Sequence, residues 1–174
     1  RHYALILWNH GSGWKPKSSS ASLRAICFDD LSNDALDTDE LREALESAGV
    51  KLDFLGLDAC LMQMVEVATE VKDWAQIVCG SQEDEPWYGW PYDGLLAPLS
   101  QNPSMDAIQL GRAAVASYID YYQGAGSAVT LSAISTSPLR EFVQAVDALG
   151  AKLASLYPSP AIDSLLNTAQ TFAD

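Results

Sequence analysis

Two residues of this chain have the side chains of a thiol nucleophile and its base, and each follows an apolar run of strand length. Cys60 comes after the run 52–57 and opens a predicted helix, where backbone N–H groups and the helix dipole favour a thiolate over a thiol. His10 comes after the run 3–8. If these runs are neighbouring parallel strands, their carboxyl ends lie about 5–10 Å apart and both side chains face one crevice. The pair predicts nucleophilic catalysis by Cys60 with His10 as its base.

Each of these residues also has a plainer interpretation. A lone cysteine in apolar surroundings is most often a small buried hydrophobe, and a lone histidine beside a glycine is a common turn residue. Together they favour catalysis, because Gly11 lets the backbone approach a substrate and the N–H groups of Gly11 and Cys60 could hold a tetrahedral oxyanion. A serine hydrolase built on Ser81 or Ser12 is a weaker interpretation, since neither serine lies at a predicted strand-to-helix elbow.

The elements that would position these residues alternate along the chain. Apolar runs of strand length cover residues 3–8, 25–28, 52–57, 76–80 and 128–134, and helical spacing covers residues 37–47, 61–71, 107–122, 139–157 and 161–172. The stretch 83–103 is rich in proline and is interpreted as a long, partly structured loop. Strands that alternate with helices predict an α/β fold with a mostly parallel sheet covered on both faces.

The composition bounds the class of protein. With 174 residues, 48% of them hydrophobic and 19% charged, the chain suits a single globular domain. Its 10 basic and 23 acidic residues give a net charge of -13, which would repel nucleic acid and anionic membranes. No apolar run approaches the ~20 residues of a membrane span, and a signal for export would lie upstream of this chain. Three cysteines without a CxxC spacing favour neither a disulfide framework nor a zinc site.

Three motifs, in order, carry a resemblance to a known family. They are Leu7-Trp8-Asn9-His10-Gly11-Ser12-Gly13-Trp14, then Leu57-Asp58-Ala59-Cys60-Leu61-Met62, then Ser81-Gln82-Glu83 with Gly89-Trp90-Pro91-Tyr92. Together they resemble the clostripain family of cysteine peptidases, in the caspase-like group, over roughly half of the chain. The resemblance implies a caspase-like α/β/α sandwich and cleavage of peptide bonds after Arg or Lys by a His-Cys dyad, here His10 and Cys60.

The resemblance also implies a pocket for a basic side chain. Asp58 is at the family's position for the specificity acid, and a strand-end or helix-capping role is the alternative. We expect Ser81, Glu83 and Trp90 to contribute to substrate binding, with the acids 83–85 on the pocket rim. The alternative for this stretch is a solvated turn with a small core of its own.

Activation and metal binding follow from the same resemblance. Family members can cut themselves in the loop after the histidine, so Lys15, Lys17 and Arg24 are the predicted autocleavage sites. Calcium dependence is reported in the family, yet the acid-rich stretch 29–37 has neither EF-hand spacing nor a central glycine. We therefore expect no cofactor, with calcium as the open alternative.

The family context sets the remaining expectations. In caspase-like folds two strands precede the strand that ends in the histidine, so we expect this single peptidase domain to be a fragment whose sheet is completed by an N-terminal segment of the same polypeptide. The predicted protein is a bacterial, secreted or cell-envelope endopeptidase that acts on peptides or proteins with basic residues. A non-catalytic binding or scaffold domain with the same fold is the alternative.

Overall fold

The computed structural model describes residues 1–14, 25–123 and 129–169. In these ranges the strands are β1 Ala4–Trp8, β2 Ala25–Asp29, β3 Asp34–Asp37, β4 Leu52–Asp58, β5 Ala75–Gly80 and β6 Ser132–Ser135. The helices are α1 Thr38–Ala48, α2 Val65–Val71, α3 Tyr92–Gln101, α4 Ala107–Tyr122, α5 Leu139–Leu156 and α6 Pro160–Thr168. Of the helices described, none has the length and apolar character needed to cross a bilayer.

Four of the strands form one sheet in the order β1-β4-β5-β6. Strands β1, β4 and β5 run parallel, and β6 joins β5 in the antiparallel direction. Parallel neighbours need a crossover connection, which α1 supplies between β1 and β4 and α2 supplies between β4 and β5. In the register of β1 with β4, Trp8 lies opposite Asp58, so both strands end at the same edge of the sheet.

Helices cover both faces of this sheet. On one face, α1 and α2 pack in a core that includes Leu45, Leu55 and Val71. On the other face, α3 and α4 pack in a core that includes Phe54 and Tyr118. The neighbours Phe54 and Leu55 of β4 belong to opposite cores because successive side chains of a strand point to opposite faces. These layers confirm the predicted α/β/α sandwich with a mostly parallel sheet.

The acid-rich stretch 29–37 forms a hairpin turn and a helix cap. Asp29 Oδ1 accepts hydrogen bonds from two backbone N–H groups of the turn between β2 and β3, at 2.9 and 3.4 Å. Asp37 caps α1 in a reciprocal capping box with Glu40. Strand β3 was not predicted, because aspartate is depleted in strands. Within the described ranges, no group of three or more His, Cys, Asp or Glu side chains could hold a metal ion.

Helix α3 lies within the stretch that was predicted to be a loop. Proline suggested a loop there, yet Pro91 immediately precedes the helix, where its missing N–H is tolerated, and Pro98 lies inside it. Tertiary contacts compensate for the weak helix propensity. Leu95 is buried in the core, and the Tyr92 hydroxyl donates a hydrogen bond to Asp58 at 2.7 Å.

Strand β1 is an outer strand of the described sheet, where β4 pairs with one of its two sides. Its central residues Leu5, Ile6 and Leu7 are half-buried, and Tyr3 before them is 44% exposed. An apolar strand with an open edge presents backbone N–H and C=O groups to a further strand.

Candidate active site

The register of β1 with β4 brings two chain segments together at the carboxyl end of the sheet. Beyond the pair of Trp8 and Asp58, the Asn9 N–H continues the ladder by donating to the Asp58 carbonyl oxygen at 3.3 Å. His10 and Cys60 then follow at equal distance along the two chains and leave the sheet side by side. Both line one cleft of about 320 Å³. The structure therefore brings the predicted base and nucleophile to one crevice, where parallel sheets commonly bind ligands.

The Cys60 thiol is half-buried and accepts a hydrogen bond from the Glu85 N–H at 3.2 Å. Burial raises the pKa of this thiol most; the Glu85 N–H opposes that effect, and the acidic side chains of Asp84 and Glu85 add to it. The predicted helix start at Cys60 is wrong, because Leu61 takes a left-handed φ of 63° and α2 begins at Val65. The helix dipole acts within the first turn, so the expected low pKa of Cys60 is wrong for this arrangement.

The His10 imidazole is exposed to the cleft while its backbone is held firmly. The His10 N–H donates to Asn9 Oδ1 at 2.6 Å, and the His10 carbonyl oxygen accepts from the Cys27 N–H at 3.1 Å. The centroid of its ring lies 6.3 Å from that of Trp87, with the two planes inclined by 59°. A fixed backbone with an open side chain lets the imidazole reach a sulfur or a substrate in the same cleft.

Gly11 packs against the turn that carries Cys60. A Cβ at Gly11 would lie 2.5 Å from the Cys60 carbonyl oxygen, so glycine is required for this close approach. Gly11 pairs with Ile26 in an antiparallel bridge whose hydrogen bonds are made by the residues on either side of it. The two predicted oxyanion donors, the N–H groups of Gly11 and Cys60, thus belong to the two segments that meet at the cleft.

Asp58 lies on the floor of the cleft and is 1% exposed. Its two carboxylate oxygens accept from the Trp90 N–H at 3.2 Å each, and Oδ2 also accepts from the Tyr92 hydroxyl at 2.7 Å. Gly89 has a φ of 62° and passes so close that a Cβ there would lie 2.8 Å from Asp58 Oδ1. These contacts fix a buried acid two residues before Cys60, and Met64 rather than Asp58 occupies the cap position of α2.

Glu85 has a more central place than its predicted position on the pocket rim. It lines the cleft together with Asp58, and its Oε1 accepts from the Trp90 indole N–H at 3.2 Å. Burial, followed by the hydrogen bond and negative charge of Asp58, raises the pKa of Glu85 to about 9. The sequence did not single out Glu85, because three consecutive acids are indistinguishable until the fold turns one of them inward.

The other predicted substrate contacts, Ser81, Glu83 and Trp90, are not among the residues that line the cleft. Ser81 is 0% exposed, and its hydroxyl donates to the Glu83 carbonyl oxygen at 2.8 Å and lies 2.9 Å from the Thr130 hydroxyl. The Glu83 carboxylate accepts from the Asp84 N–H at 2.9 Å. Trp90 is buried in the core beneath the cleft. In the structure these residues hold the loop that follows β5.

Two other predictions concern the autocleavage sites and the alternative nucleophile Ser12. The predicted autocleavage sites Lys15, Lys17 and Arg24 lie outside the described residues, so they stay a prediction. The hydroxyl of Ser12 is buried and interacts with the backbone of Ala25 at 3.2 and 3.4 Å, which makes it unsuitable as the nucleophile of a serine hydrolase.

Comparison with known proteins identifies the family. The sequence profile of the clostripain family matches residues 1–170. This chain belongs to the clostripain family. A curated relative is clostripain of Hathewaya histolytica, which is 40% identical over 76 residues that make up 40% of this chain and 14% of that protein. The family predicted from three motifs is thereby confirmed.

Solved structures of C11 cysteine proteases share the fold of this clostripain-family chain. A secreted C11 cysteine protease from Bacteroides thetaiotaomicron, in complex with an irreversible peptide inhibitor, is 27% identical, with a TM-score of 0.62 over 79% of this chain and 40% of that one. An inactive zymogen C11 protease from Parabacteroides distasonis is 25% identical, with a TM-score of 0.60 over 80% of this chain and 36% of that one. The clostripain-family chain spans less than half the length of these relatives, and the caspase-like fold is confirmed.

Proposed function

We propose that this chain is a cysteine endopeptidase that cleaves peptide bonds after Arg or Lys. The observation that carries the proposal is the pairing of Trp8 with Asp58, since it explains why His10 and Cys60 line one cleft. The buried carboxylate of Asp58 supports a preference for basic side chains, because guanidinium and ammonium groups form their strongest hydrogen bonds with carboxylates. In the described part of the chain, neither lysine nor arginine lines the cleft to compete for it.

Acylation begins with a protonated nucleophile. Because the pKa of the Cys60 thiol is raised, His10 removes the thiol proton as Sγ attacks the carbonyl carbon of the scissile bond. The N–H groups of Gly11 and Cys60 stabilise the negative charge that develops on the carbonyl oxygen. His10 then gives the proton to the leaving amine as the C–N bond breaks, which leaves a thioester on Cys60.

Deacylation uses the same groups in the opposite order. A water oxygen attacks the thioester carbon while His10 removes a proton from that water. The C–S bond breaks, the peptide leaves as a carboxylic acid, and the Cys60 sulfur recovers its proton from His10. No group other than the two side chains and the two backbone donors is needed to balance protons in this cycle.

Three further features belong to the same proposal. An N-terminal segment of the same polypeptide would pair with the open edge of β1, whose apolar residues are half-buried. Cutting after Lys15, Lys17 or Arg24 would follow from the preference for basic residues. Secretion is supported by the relative from Bacteroides thetaiotaomicron, which is described as secreted.

The alternative function, a non-catalytic scaffold domain, is favoured by one observation. The raised pKa of the Cys60 thiol reduces its reactivity near neutral pH, and the Glu85 N–H holds the sulfur in place. A thiol in that state is a poor nucleophile unless His10 takes its proton.

Peptides that end in Arg, Lys, Asp or Leu before a fluorogenic leaving group test the proposal. We expect the purified protein to hydrolyse the Arg and Lys peptides at least about 100-fold faster than the others, because the wrong side chain leaves a buried acid unpaired. Cys60→Ala should abolish hydrolysis. Preference for the Asp peptide would contradict the role of Asp58, undiminished activity in Cys60→Ala would contradict the nucleophile, and inertness toward all four peptides would favour the scaffold.

A further inference from the structure

The cleft holds a second acid beside the one that the proposed function uses. Glu85 lines the same cleft as Asp58, and both carboxyl groups accept hydrogen bonds from Trp90, Asp58 from the backbone N–H and Glu85 from the indole N–H. The Glu85 residue is fixed at both ends, since its backbone N–H donates to Cys60 Sγ and its Oε1 accepts from the Trp90 indole N–H, both at 3.2 Å. Glu85 is therefore bonded to Cys60 through its backbone and, through its side chain, to Trp90, which also donates to Asp58.

Two neighbouring carboxylates in one cleft repel each other, which favours keeping a proton on one of them. Asp58 accepts hydrogen bonds from two donors, the Trp90 N–H and the Tyr92 hydroxyl. Glu85 Oε2 is buried, and no N–H or O–H of the described residues donates to it. Of the two carboxyl groups, that of Glu85 has fewer hydrogen-bond donors around it, so it keeps a proton more readily. The raised pKa of Glu85 agrees with this.

We propose that Glu85 is a specificity-determining acid that holds a proton in the empty cleft and releases it to solvent when an arginine or lysine side chain enters. This inference rests on the proposed function. The O–H bond of Glu85 breaks, the proton passes to buffer, and the cation of the substrate takes its place between two carboxylates. The pair then changes from one negative charge to two, so the pocket acquires its full charge only together with a cation.

A bound cation can lower the pKa of Glu85 far enough for its proton to be released. An opposite charge within about 4–6 Å lowers the pKa of a carboxyl group by about 1–3. Starting from about 9, this brings the pKa of Glu85 toward neutral pH. An uncharged side chain of the same shape supplies no such charge and leaves the proton on Glu85. The pocket would therefore bind neutral side chains of the same shape less tightly for two reasons. Glu85 keeps its proton, and hydrogen bonds to the charged group are lost.

The other titratable groups around Glu85 are not the source of the proton released on binding. The groups that face it are Asp58 on β4, Cys60 beyond that strand, Cys79 on β5, Tyr92 on α3, and Tyr118 and Tyr122 on α4. Burial is the largest cause of a raised pKa in each of these thiols and phenols, so they keep their protons near neutral pH. Among the described residues that line the cleft, His10 is the remaining titratable side chain, and a substitution of Glu85 distinguishes a proton released by His10 from one released by Glu85.

Calorimetry with matched ligands tests the inference. The protein carries Cys60→Ser, which prevents turnover and keeps an acceptor for the Glu85 N–H, and the ligands are acetylated tetrapeptide amides that end in arginine or in citrulline. Binding is measured near pH 7.5 in phosphate and in Tris, whose different ionisation enthalpies give the number of protons released. We expect about 0.5–1 proton released with arginine and none with citrulline. Arginine affinity should rise between about pH 7 and 9, by up to tenfold per pH unit.

Glu85→Gln is the decisive variant, because its amide can still donate to Asp58 and accept from Trp90 but cannot ionise. It should bind the arginine peptide without proton release and with a flat pH profile, whereas Glu43→Gln, which removes an exposed carboxylate on α1, should behave like the parent. Equal proton release in Glu85→Gln, or arginine binding without release in the parent, would overturn the inference and leave the proposed function intact. Failure of the parent to bind the arginine peptide would overturn both. The comparison of arginine with citrulline needs no change at Glu85, so it decides the matter even if that variant fails to fold.

Discussion

Cys60 lies where a nucleophile is expected, but the raised pKa of its thiol disfavours the thiolate. Its environment differs from the helix start that the sequence suggested, since the chain turns at Leu61 before α2 begins at Val65. Burial and nearby acids then act on the sulfur without a helix dipole to oppose them. For the proposed mechanism this means that His10 takes the thiol proton before or during attack, rather than forming a resting ion pair with Cys60.

The pH dependence of Cys60 alkylation follows from this. Because the pKa of the thiol is raised, the thiolate fraction is low at neutral pH, and the rate with iodoacetamide should still be rising at pH 9.0. Asp84→Asn removes an exposed negative charge that raises this pKa, so the rate at about pH 8 should increase by about twofold. Peptide mapping by mass spectrometry separates Cys60 from the half-buried Cys27.

The matched control for that measurement is Asp93→Asn, which removes another exposed carboxylate without touching the thiol. Its alkylation rate should equal that of the unmodified protein. A Cys60 rate that levels off below about pH 8 would show that the thiol pKa is lowered instead of raised.

Much of the candidate site could be predicted from the sequence. His10, Gly11 and Cys60 were selected from their types and spacing and Asp58 from the family resemblance, and the structure brings them to one cleft or its wall. The inward turn of Glu85 could not be predicted, because it depends on the Trp90 indole and on Asp58, residues that meet it only after α3 packs on the sheet.

At the scale of elements, the site depends on how closely β1 and β4 approach. The segment after β1 passes over the turn after β4 with Gly11 against the Cys60 carbonyl oxygen. The apolar runs predicted both strands, and their parallel pairing places the two loops at one edge. Elements held by tertiary contacts were missed, as α3 shows: Pro98 inside it argues against a helix, and the burial of Leu95 overrides that effect.

Gly11→Ala tests that close approach. A Cβ would lie 2.5 Å from the Cys60 carbonyl oxygen and 2.9 Å from Met62 Cγ, so the two loops must separate. We expect the free energy of unfolding to fall by about 1–3 kcal/mol and hydrolysis of the Arg peptide to be lost. Urea denaturation and the peptide assay measure the two effects.

Gly150→Ala is the control for the same substitution elsewhere. Gly150 lies within α5 with nothing within 4 Å of the added Cβ, so alanine should stabilise the protein by about 0.5–1 kcal/mol without changing activity. If Gly11→Ala matched this control in both stability and activity, the loops would not be as close as the structure has them.

At the scale of the whole molecule, the charge of the chain bears on its substrates. The net charge of -13 creates a negative potential that would attract positively charged peptides and is screened by salt. The composition thus argues against nucleic acid as a partner and is compatible with the proposed preference for basic peptides. The open edge of β1 also concerns the whole molecule. The apolar run predicted that strand, but it did not show on which side the strand would be paired.

Salt dependence measures this long-range attraction. Between about 20 and 500 mM NaCl, kcat/KM for the Arg peptide should fall by about 3–10-fold, because screening slows the encounter of opposite charges. Alkylation by iodoacetamide, which is uncharged, should change by less than about twofold over the same range. An equal response of both reactions would mean that salt acts on the protein itself and not on the encounter.

The pairing of His10 with Cys60 across one cleft is tested most directly by an irreversible substrate mimic. An arginine-ended peptidyl acyloxymethyl ketone forms a thioether when a sulfur displaces its carboxylate leaving group, and peptide mapping then locates the adduct. We expect one adduct per chain, on Cys60, with the labelling rate at neutral pH reduced at least about 100-fold in His10→Ala, the scale of general-base catalysis. An adduct on Cys27, or the same rate with and without His10, would contradict the account.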